Sequence, residues 1–207
     1  MYEYRQLTAE QRHEVIAHRS SNCRPWHSPP HALFTSGTQY LLTAACFEHA
    51  PVIGQTHERM TEFENTLLGV CEAFASTTYA WCVLSNHYHV LLKTDQLKPL
   101  LAEIGRMHGR TSHSWNGTDG LRGRKIWFNC FERAIRSHRH FWASMNYVHH
   151  NPVKHGYVDC WQDWPWSSAT TFIEQVGRDK VQTLWQSYPI LDYGKKWDCD
   201  NESNNKT

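Results

Sequence analysis

The sequence predicts an α+β protein: a ferredoxin-like or RRM-like βαββαβ antiparallel sheet, followed by a C-terminal helix. Three observations predict this order. A strand pattern is followed by a helical one, two short apolar runs flank a turn, and a second helical pattern precedes another strand and helix. The chain has 207 residues, of which 40% are hydrophobic, enough for one domain with extensions.

The first half of the pattern begins near residue 38. Residues 40–47 are apolar and end before a proline segment, as a strand does. Apolar residues from Met60 to Phe74 then recur at spacings of three and four, which predicts an amphipathic helix. Residues 79–84 and 87–93 flank Ser85-Asn86, a turn pair, and predict two antiparallel strands.

The second half repeats this alternation. Leucines from residue 97 to 101, with Ile104 and Met107, predict a second helix, and residues 125–135 predict a fourth strand. A third helix follows, and Pro152 is expected to end it. Residues 172–186 predict a further short helix. The predicted domains are an N-terminal extension (1–36), the sheet domain (37–170), and a C-terminal helix with a polar tail (171–207).

The composition argues against several classes of protein. No apolar run approaches the roughly 18 residues of a membrane-spanning helix, and the N-terminus begins no apolar signal segment. Seven separated cysteines include no Cys-x-x-Cys pair, which argues against a disulfide framework or a cysteine-built zinc site. We therefore expect a cytoplasmic protein with no membrane partner and with reduced thiols.

One segment is strongly basic. Residues 121–154 hold seven Lys and Arg against the single acid Glu132, and aromatic residues lie among them. This mixture suits phosphates and stacked bases, although a solvated basic face would look the same. The candidate nucleic-acid-binding residues are Arg122, Arg124, Lys125, Trp127, Arg133, Arg136, Arg139 and Lys154.

Two histidines are candidate metal ligands. His87 and His89 project from one face of the predicted strand, where two imidazoles can hold a divalent cation. The spacing is weak support, since the chain has fifteen histidines and repeats the pair at His138 and His140, on a predicted helix. Two surface or hydrogen-bonded histidines remain the alternative.

Tyr147 and Asn151 are stacked on one face of the third predicted helix, one turn apart. They lie off the apolar stripe of Phe141, Met145 and Val148, so Tyr147 need not be a core residue. The alternative is a tyrosine packed at the helix edge, with the asparagine as a helix terminator.

Several segments together resemble the REP-associated tyrosine transposases, a branch of the single-tyrosine HUH (His-hydrophobic-His) superfamily that includes IS200-like transposases. The resemblance covers about residues 24–170. Its motifs are residues 85–92 (Ser-Asn-His-Tyr-His-Val-Leu-Leu), 126–128 (Ile-Trp-Phe), 131–136 (Phe-Glu-Arg-Ala-Ile-Arg), 147–156 (Tyr-Val-His-His-Asn-Pro-Val-Lys-His-Gly) and 166–168 (Trp-Ser-Ser).

The resemblance implies a site. Tyr147 would be the catalytic nucleophile, and His87, His89 and Asn151 would hold a divalent metal ion, Mg²⁺ or Mn²⁺. The superfamily's better-known branch has Gln where this chain has Asn151, which is one methylene shorter. Tyr88 replaces the usual aliphatic residue between the histidines and is expected to face the core.

It also implies an activity: cleavage and rejoining of single-stranded DNA at hairpin-forming, REP-like sequences through a 5′-phosphotyrosine. His149 or His150 would help to deprotonate the tyrosine, and residues 24–27 would cover the sheet or read the hairpin base. The alternatives are a non-catalytic or domesticated DNA-hairpin-binding protein, or a nuclease that uses water. The chain is expected to act as a monomer or a homodimer.

Overall fold

A four-stranded antiparallel sheet lies at the centre of the fold. The computed structural model describes residues 38–190, along with the isolated positions 8 and 10, so the expectation for residues 24–27 lies outside it. The sheet has the order β2-β3-β1-β4. Its strands are β1 (Thr38–Ala45), β2 (Thr77–Val83), β3 (His87–Thr94) and β4 (Phe131–Ala134).

Helices alternate with these strands in the predicted order. They are α1 (His57–Phe74), α2 (Leu97–Thr118), α3 (His138–Lys154), α4 (Ala169–Val176) and α5 (Arg178–Ser187), with short 3₁₀ turns at Phe47–His49, Ile53–Gln55 and Trp161–Asp163. Strand, helix, hairpin, helix and strand in this order give the ferredoxin-like arrangement. The predicted fold class is therefore confirmed.

The two faces of β3 have different neighbours, because successive strand side chains alternate. Tyr88 is fully buried and packs against Phe63 of α1, with ring centroids 5.5 Å apart. His87 and His89 lie on the opposite face, against α3. Tyr88 therefore faces the core, as expected, and leaves the histidine face to the third helix.

Three predicted boundaries were wrong. β4 covers residues 131–134 rather than 125–135, and Trp127 reaches the sheet through an isolated bridge to Cys46. Pro152 lies inside α3, which continues to Lys154, because a proline in the last turn removes only one helix hydrogen bond. Residues 172–186 form two helices, since Gly177 has a φ of 90° and interrupts them.

The Trp-Ser-Ser segment lies along the outer edge of the sheet. Ser167 forms a bridge with Cys82 of β2, and Val83 N donates to the Trp166 carbonyl at 2.9 Å. Ser168 N and Oγ contact the backbone of Trp81. This motif therefore has a structural role in extending the sheet.

All described residues from 38 to 190 belong to one compact unit, Leu33–Leu191. The predicted limits at residues 36 and 170 stay predictions. No helix in this part of the chain has the length and apolar character required to cross a membrane.

Candidate active site

The two histidines of β3 lie side by side on the face of the sheet that α3 covers. Their ring centroids are 5.1 Å apart. The strand register pairs His89 with Thr43 of β1 and with Cys82 of β2, so His89 is in the interior of the sheet. Both rings are buried, with exposed fractions of 3% for His87 and 0% for His89.

Asn86 fixes the protonation of the His87 ring. Its Nδ2 donates to the His49 carbonyl at 3.0 Å, so its Oδ1 is the atom that faces His87 Nδ1, at 2.6 Å. An amide oxygen only accepts hydrogen bonds, and Nδ1 of His87 is therefore the donor. In the neutral ring Nε2 is then the unprotonated nitrogen, which acts as an acceptor.

The turn that carries Asn86 is held by close backbone contact. Gly54 N donates to the Ser85 carbonyl at 2.9 Å, and a Cβ on Gly54 would collide with Ser85. On the other side His49, with a φ of 51°, presents the carbonyl that Asn86 binds. A left-handed backbone at a non-glycine residue is costly, so surrounding structure must hold this loop in place.

His89 is oriented in the same way by a neighbouring strand. Its Nδ1 lies 2.7 Å from Thr43 Oγ1, and its Nε2 lies 3.3 Å from the Tyr147 hydroxyl. The His89 and Tyr147 rings meet edge to face, with centroids 4.9 Å apart. Both histidines thus have Nδ1 bound to an oxygen and Nε2 directed toward α3.

Tyr147 and Asn151 present their polar atoms to those two nitrogens. Asn151 Oδ1 lies 3.0 Å from His87 Nε2, so the shorter amide reaches the histidine pair. Although the two residues lie off the apolar stripe of α3, Tyr147 is buried, 1% exposed, and Asn151 is 0% exposed. The reason is that this side of α3 packs directly on β3, where the two side chains meet the histidines.

These atoms fit a cation. His87 Nε2 and Asn151 Oδ1 are both acceptors, and two acceptors at 3.0 Å repel each other unless a proton or a cation lies between them. Asn151 Nδ2 is buried without a hydrogen-bond partner, and turning the amide over would bring that donor to His87. The orientation present instead directs the oxygen at His87, and an oxygen is the atom that a hard divalent cation prefers.

The donor set would include an amide. Among the described residues, no three His, Cys, Asp or Glu side chains are grouped so as to hold a metal ion. Two imidazoles and the oxygen of Asn151 are the ligands that the site offers. A third imidazole beside them belongs to His155, whose ring centroid lies 5.0 Å from that of His87.

A lysine adds positive charge beside the phenol. Lys154 is exposed at the end of α3, and its Nζ lies 5.5 Å from the centre of the Tyr147 ring. An ammonium over an aromatic face is attracted to the ring, and it also favours negative charge on the phenol oxygen. Sequence reasoning placed Lys154 among the phosphate ligands, and the structure brings it to the tyrosine.

His149 and His150 are poorly placed to accept the tyrosine proton. His149 is fully buried, bonds to Ser168 Oγ at 2.9 Å and packs on Phe172. Burial lowers its pKa to about 3, so it is neutral at physiological pH. His150 is exposed. The described imidazole facing the phenol is that of His89, which the sequence argument had assigned only to metal binding.

Trp127 is a core residue rather than a stacking platform. It is 7% exposed, its ring stacks on His108 at 4.1 Å, and its Nε1 donates to Thr111 Oγ1 at 2.9 Å. Burial lowers the pKa of His108 to about 4, so the stacked imidazole is neutral. These contacts connect the loop after α2 to the interior, and they argue against a role for this ring in binding bases.

Two of the predicted phosphate ligands are engaged within the protein. Arg124 Nη2 pairs with Asp119 at 2.5 Å, and its Nε donates to Asn116 Oδ1 at 3.0 Å. Arg122 is exposed, but its Nη1 donates to the His113 carbonyl at 3.0 Å. Both arginines thereby hold the loop after α2 in place.

The other predicted phosphate ligands lie at the surface. They are Lys125, Arg133, Arg136 and Arg139. The pKa of His140 is lowered first by partial burial and then by the charges of Arg133 and Arg136. Arg133, Arg136 and Arg139 thus give the junction of β4 and α3 a positive surface.

Sequence reasoning missed Thr43 and Asn86, the residues that orient the histidines. Asn86 directly precedes His87, so its position was visible, although its role was read as that of a turn residue. Thr43 is 46 positions from His89 and becomes its neighbour only through the register of β1 and β3. The predicted βαββαβ fold places its first and third strands side by side, so pairing β1 with β3 would have been the signal.

The fold and this site define a class: an α+β protein whose ferredoxin-like sheet sets two strand histidines against a tyrosine and an amide of the following helix, all within one chain. No protein-family model matches the chain. It is 26% identical over 172 residues to a Haemophilus influenzae protein that is described among the REP-associated tyrosine transposases. The aligned residues cover 76% of this chain and 93% of that protein.

A second relative is the REP-associated tyrosine transposase of Escherichia coli, 32% identical over 111 residues, which are 51% of this chain and 60% of the relative. A solved structure of a REP-associated tyrosine transposase bound to a REP hairpin matches with a TM-score of 0.56 at 23% identity, over 74% of this chain and 87% of that one, which shows the fold. The chain is thus similar to REP-associated tyrosine transposases, and the resemblance drawn from its sequence is confirmed.

Proposed function

We propose that the protein is a tyrosine transposase that cleaves and rejoins single-stranded DNA at hairpin-forming, REP-like sequences, with Tyr147 as the nucleophile. The observation that carries this proposal is the approach of Tyr147 and Asn151 to the Nε2 atoms of His89 and His87, at 3.3 and 3.0 Å. The named function of the homologues and the REP hairpin in the solved relative agree with it.

The cleavage step transfers the phosphate to the protein. The oxygen of Tyr147 attacks the scissile phosphorus, the bond from phosphorus to the 3′ oxygen breaks, and the 3′ oxygen leaves with a proton as a hydroxyl. The product is a 5′-phosphotyrosine. A later 3′-hydroxyl attacks the same phosphorus and releases the tyrosine, so rejoining consumes no nucleoside triphosphate.

The phenol must lose its proton, since an unperturbed tyrosine has a pKa of about 10. The Lys154 ammonium, 5.5 Å from the ring centre, stabilises the negative charge that develops on the oxygen. The four central side chains are at most 3% exposed, which keeps competing water away from the tyrosine. Entry of the DNA strand therefore requires local opening of the site.

The residues that would hold a divalent cation are His87 and His89 through Nε2 and Asn151 through Oδ1, and Mg²⁺ or Mn²⁺ suits this mixed nitrogen and oxygen set. When bound, the cation polarises the phosphate and draws charge from its oxygens. Asn86 and Thr43 bind the Nδ1 atoms and so keep each Nε2 directed at the site.

Covalent capture tests the proposal. Wild-type protein is incubated with a DNA hairpin that carries single-stranded flanks and with Mn²⁺ or Mg²⁺, and the products are separated on denaturing gels. We expect a DNA–protein adduct that Tyr147→Phe abolishes. The matched control is Tyr157→Phe. Tyr157 is an exposed tyrosine whose hydroxyl lies beside Ser85, in the turn that precedes His87, and this variant is expected to leave the adduct unchanged.

Two other outcomes contradict the proposal. Cut DNA without an adduct, equally in wild type and Tyr147→Phe, identifies a nuclease that uses water. Hairpin binding with neither cutting nor adduct identifies a DNA-binding protein without chemistry.

Because every residue of the site comes from one chain, a monomer is expected to be sufficient for the adduct.

A further inference from the structure

The face of the sheet that carries the histidines extends beyond them. Strand register places Thr43 of β1 next to His89, and Phe131 of β4 next to Thr43. Arg133 follows two residues after Phe131 and shares its face. Phe131 and His89 are thus two strands apart, about 10 Å between their backbones.

Three phenylalanine rings lie in series on this face. Phe47 and Phe128 directly follow Cys46 and Trp127, which form an isolated bridge with their side chains in the core. Ring contacts in series with Phe131 place Phe47 and Phe128 on its side of the sheet. The rings of Phe47 and Phe128 are nearly parallel, at 20° and 6.5 Å, as are those of Phe128 and Phe131, at 17° and 6.4 Å. All three residues are half-buried, so each is partly accessible to solvent.

Positive charge accompanies the rings along this series. Lys125 Nζ lies 4.7 Å from the centre of Phe47 and 5.3 Å from that of Phe128. Arg133 is exposed beside Phe131. Flat aromatic faces with neighbouring cations are the combination that binds unpaired nucleotides, with bases on the rings and phosphates on the charges.

We propose that Phe47, Phe128 and Phe131 form a stacking track for unpaired bases of the DNA strand that leads to Tyr147, with Lys125 and Arg133 on its phosphates. An unpaired strand is the occupant because a paired base offers only its edge, whereas stacking needs its open face. The inference rests on the proposed function, since it takes the strand at Tyr147 to be DNA. In this proposal Phe128 and Phe131 take the stacking role that the sequence had suggested for Trp127, whose ring is in the core.

Base removal separates stacking from charge. A fluorescein-labelled hairpin with a short single-stranded tail is compared with the same hairpin whose tail is abasic, in fluorescence-anisotropy titrations with EDTA present to prevent cleavage. We expect wild type to bind the base-bearing tail about tenfold more tightly than the abasic one. Phe131→Ala lowers that advantage to about fivefold, because two of the three rings remain, and binds the abasic tail as wild type does.

Two further variants guard the result. Phe131→Leu keeps the apolar volume but removes the flat ring, and it is expected to behave as Phe131→Ala. Phe74→Ala removes an equally half-buried ring at the end of α1, on the opposite side of the sheet, and is expected to keep the full discrimination.

Equal binding of both tails by wild type would overturn the stacking track. So would a Phe131→Ala protein that keeps the tenfold preference, or one that weakens binding to both tails equally. Any of these results leaves the Tyr147-dependent adduct untouched, so failure of the track is distinguishable from failure of the proposed function.

Discussion

Asp119 holds together three parts of the domain, and its removal is predicted to destabilise the fold. It lies just beyond α2 and accepts two contacts from Arg59 of α1, at 3.2 and 2.5 Å, and one from Arg124 at 2.5 Å. The Arg59 and Asp119 side chains are only 9% and 10% exposed. Asp119→Asn keeps the shape and removes the charge that both arginines pair with.

The magnitude follows from burial. Breaking a buried pair costs roughly 3–5 kcal/mol, because the remaining charge stays in the protein without its partner. Asn keeps one acceptor oxygen and Arg124 is 24% exposed, so we expect the low end, about 3 kcal/mol. For a domain of this size that corresponds to a fall in Tm of about 6–12 °C.

The pH dependence gives a second, independent check. Hydrogen bonds from Arg59 and then Arg124 lower the pKa of Asp119 below its ordinary 3.8. A lowered folded pKa gives stability that is present above the unfolded pKa and is lost as the pH falls through the folded one. The gap between wild type and Asp119→Asn should therefore persist at pH 5 to 7 and narrow below about pH 4.

Urea unfolding at pH 7, pH 5 and pH 3.5 measures this gap. Asp95→Asn is the matched control, since Asp95 is an exposed carboxylate, and its effect should stay within about 0.5 kcal/mol. A gap below about 1 kcal/mol at pH 7, or one that does not change toward acid, would refute the reasoning.

Three further variants test the site and its surroundings. Thr43→Val, which removes the Oγ1 beside His89 Nδ1, should weaken Mn²⁺ binding about tenfold in isothermal titration calorimetry, and an unchanged affinity would contradict the orienting role. Arg133→Ala should reduce the salt slope of hairpin binding by about one, measured by anisotropy at several KCl concentrations; an unchanged slope removes this residue from the interface. Trp127→Leu should cost about 2 kcal/mol in urea unfolding with hairpin affinity intact, and a selective loss of binding would restore it as a DNA contact.

The order of strands and helices could be predicted because apolar periodicity reports it directly. The histidine face of β3 followed from alternation alone, with His87 and His89 opposite Tyr88. The limits of the elements were less accessible. A proline at position 152 was expected to end α3, yet in the last turn it removes one hydrogen bond while its side chain is buried.

The site could be predicted only as far as a motif carries it. Helical spacing put Tyr147 and Asn151 on one face, but the burial of that face depends on the packing of α3 against β3, which periodicity within one helix does not report. The position of Thr43 beside His89 depends on the register between β1 and β3, which a motif within β3 does not report. Trp127 and Phe128 are adjacent in sequence, and only the bridge from Trp127 to Cys46 decides which ring faces the core.

The pairing of Ser167 with Cys82 and of Trp166 with Val83 has a consequence for self-association. An uncovered strand at the margin of a sheet offers unpaired amides to other chains and promotes aggregation. Here residues 166–168 pair along the edge of β2 and cover it. The opposite edge strand is β4, which is only four residues long and contains the cationic Arg133. A short, charged edge strand resists pairing with strands of other chains, so both edges of the sheet are protected against fibril-like assembly.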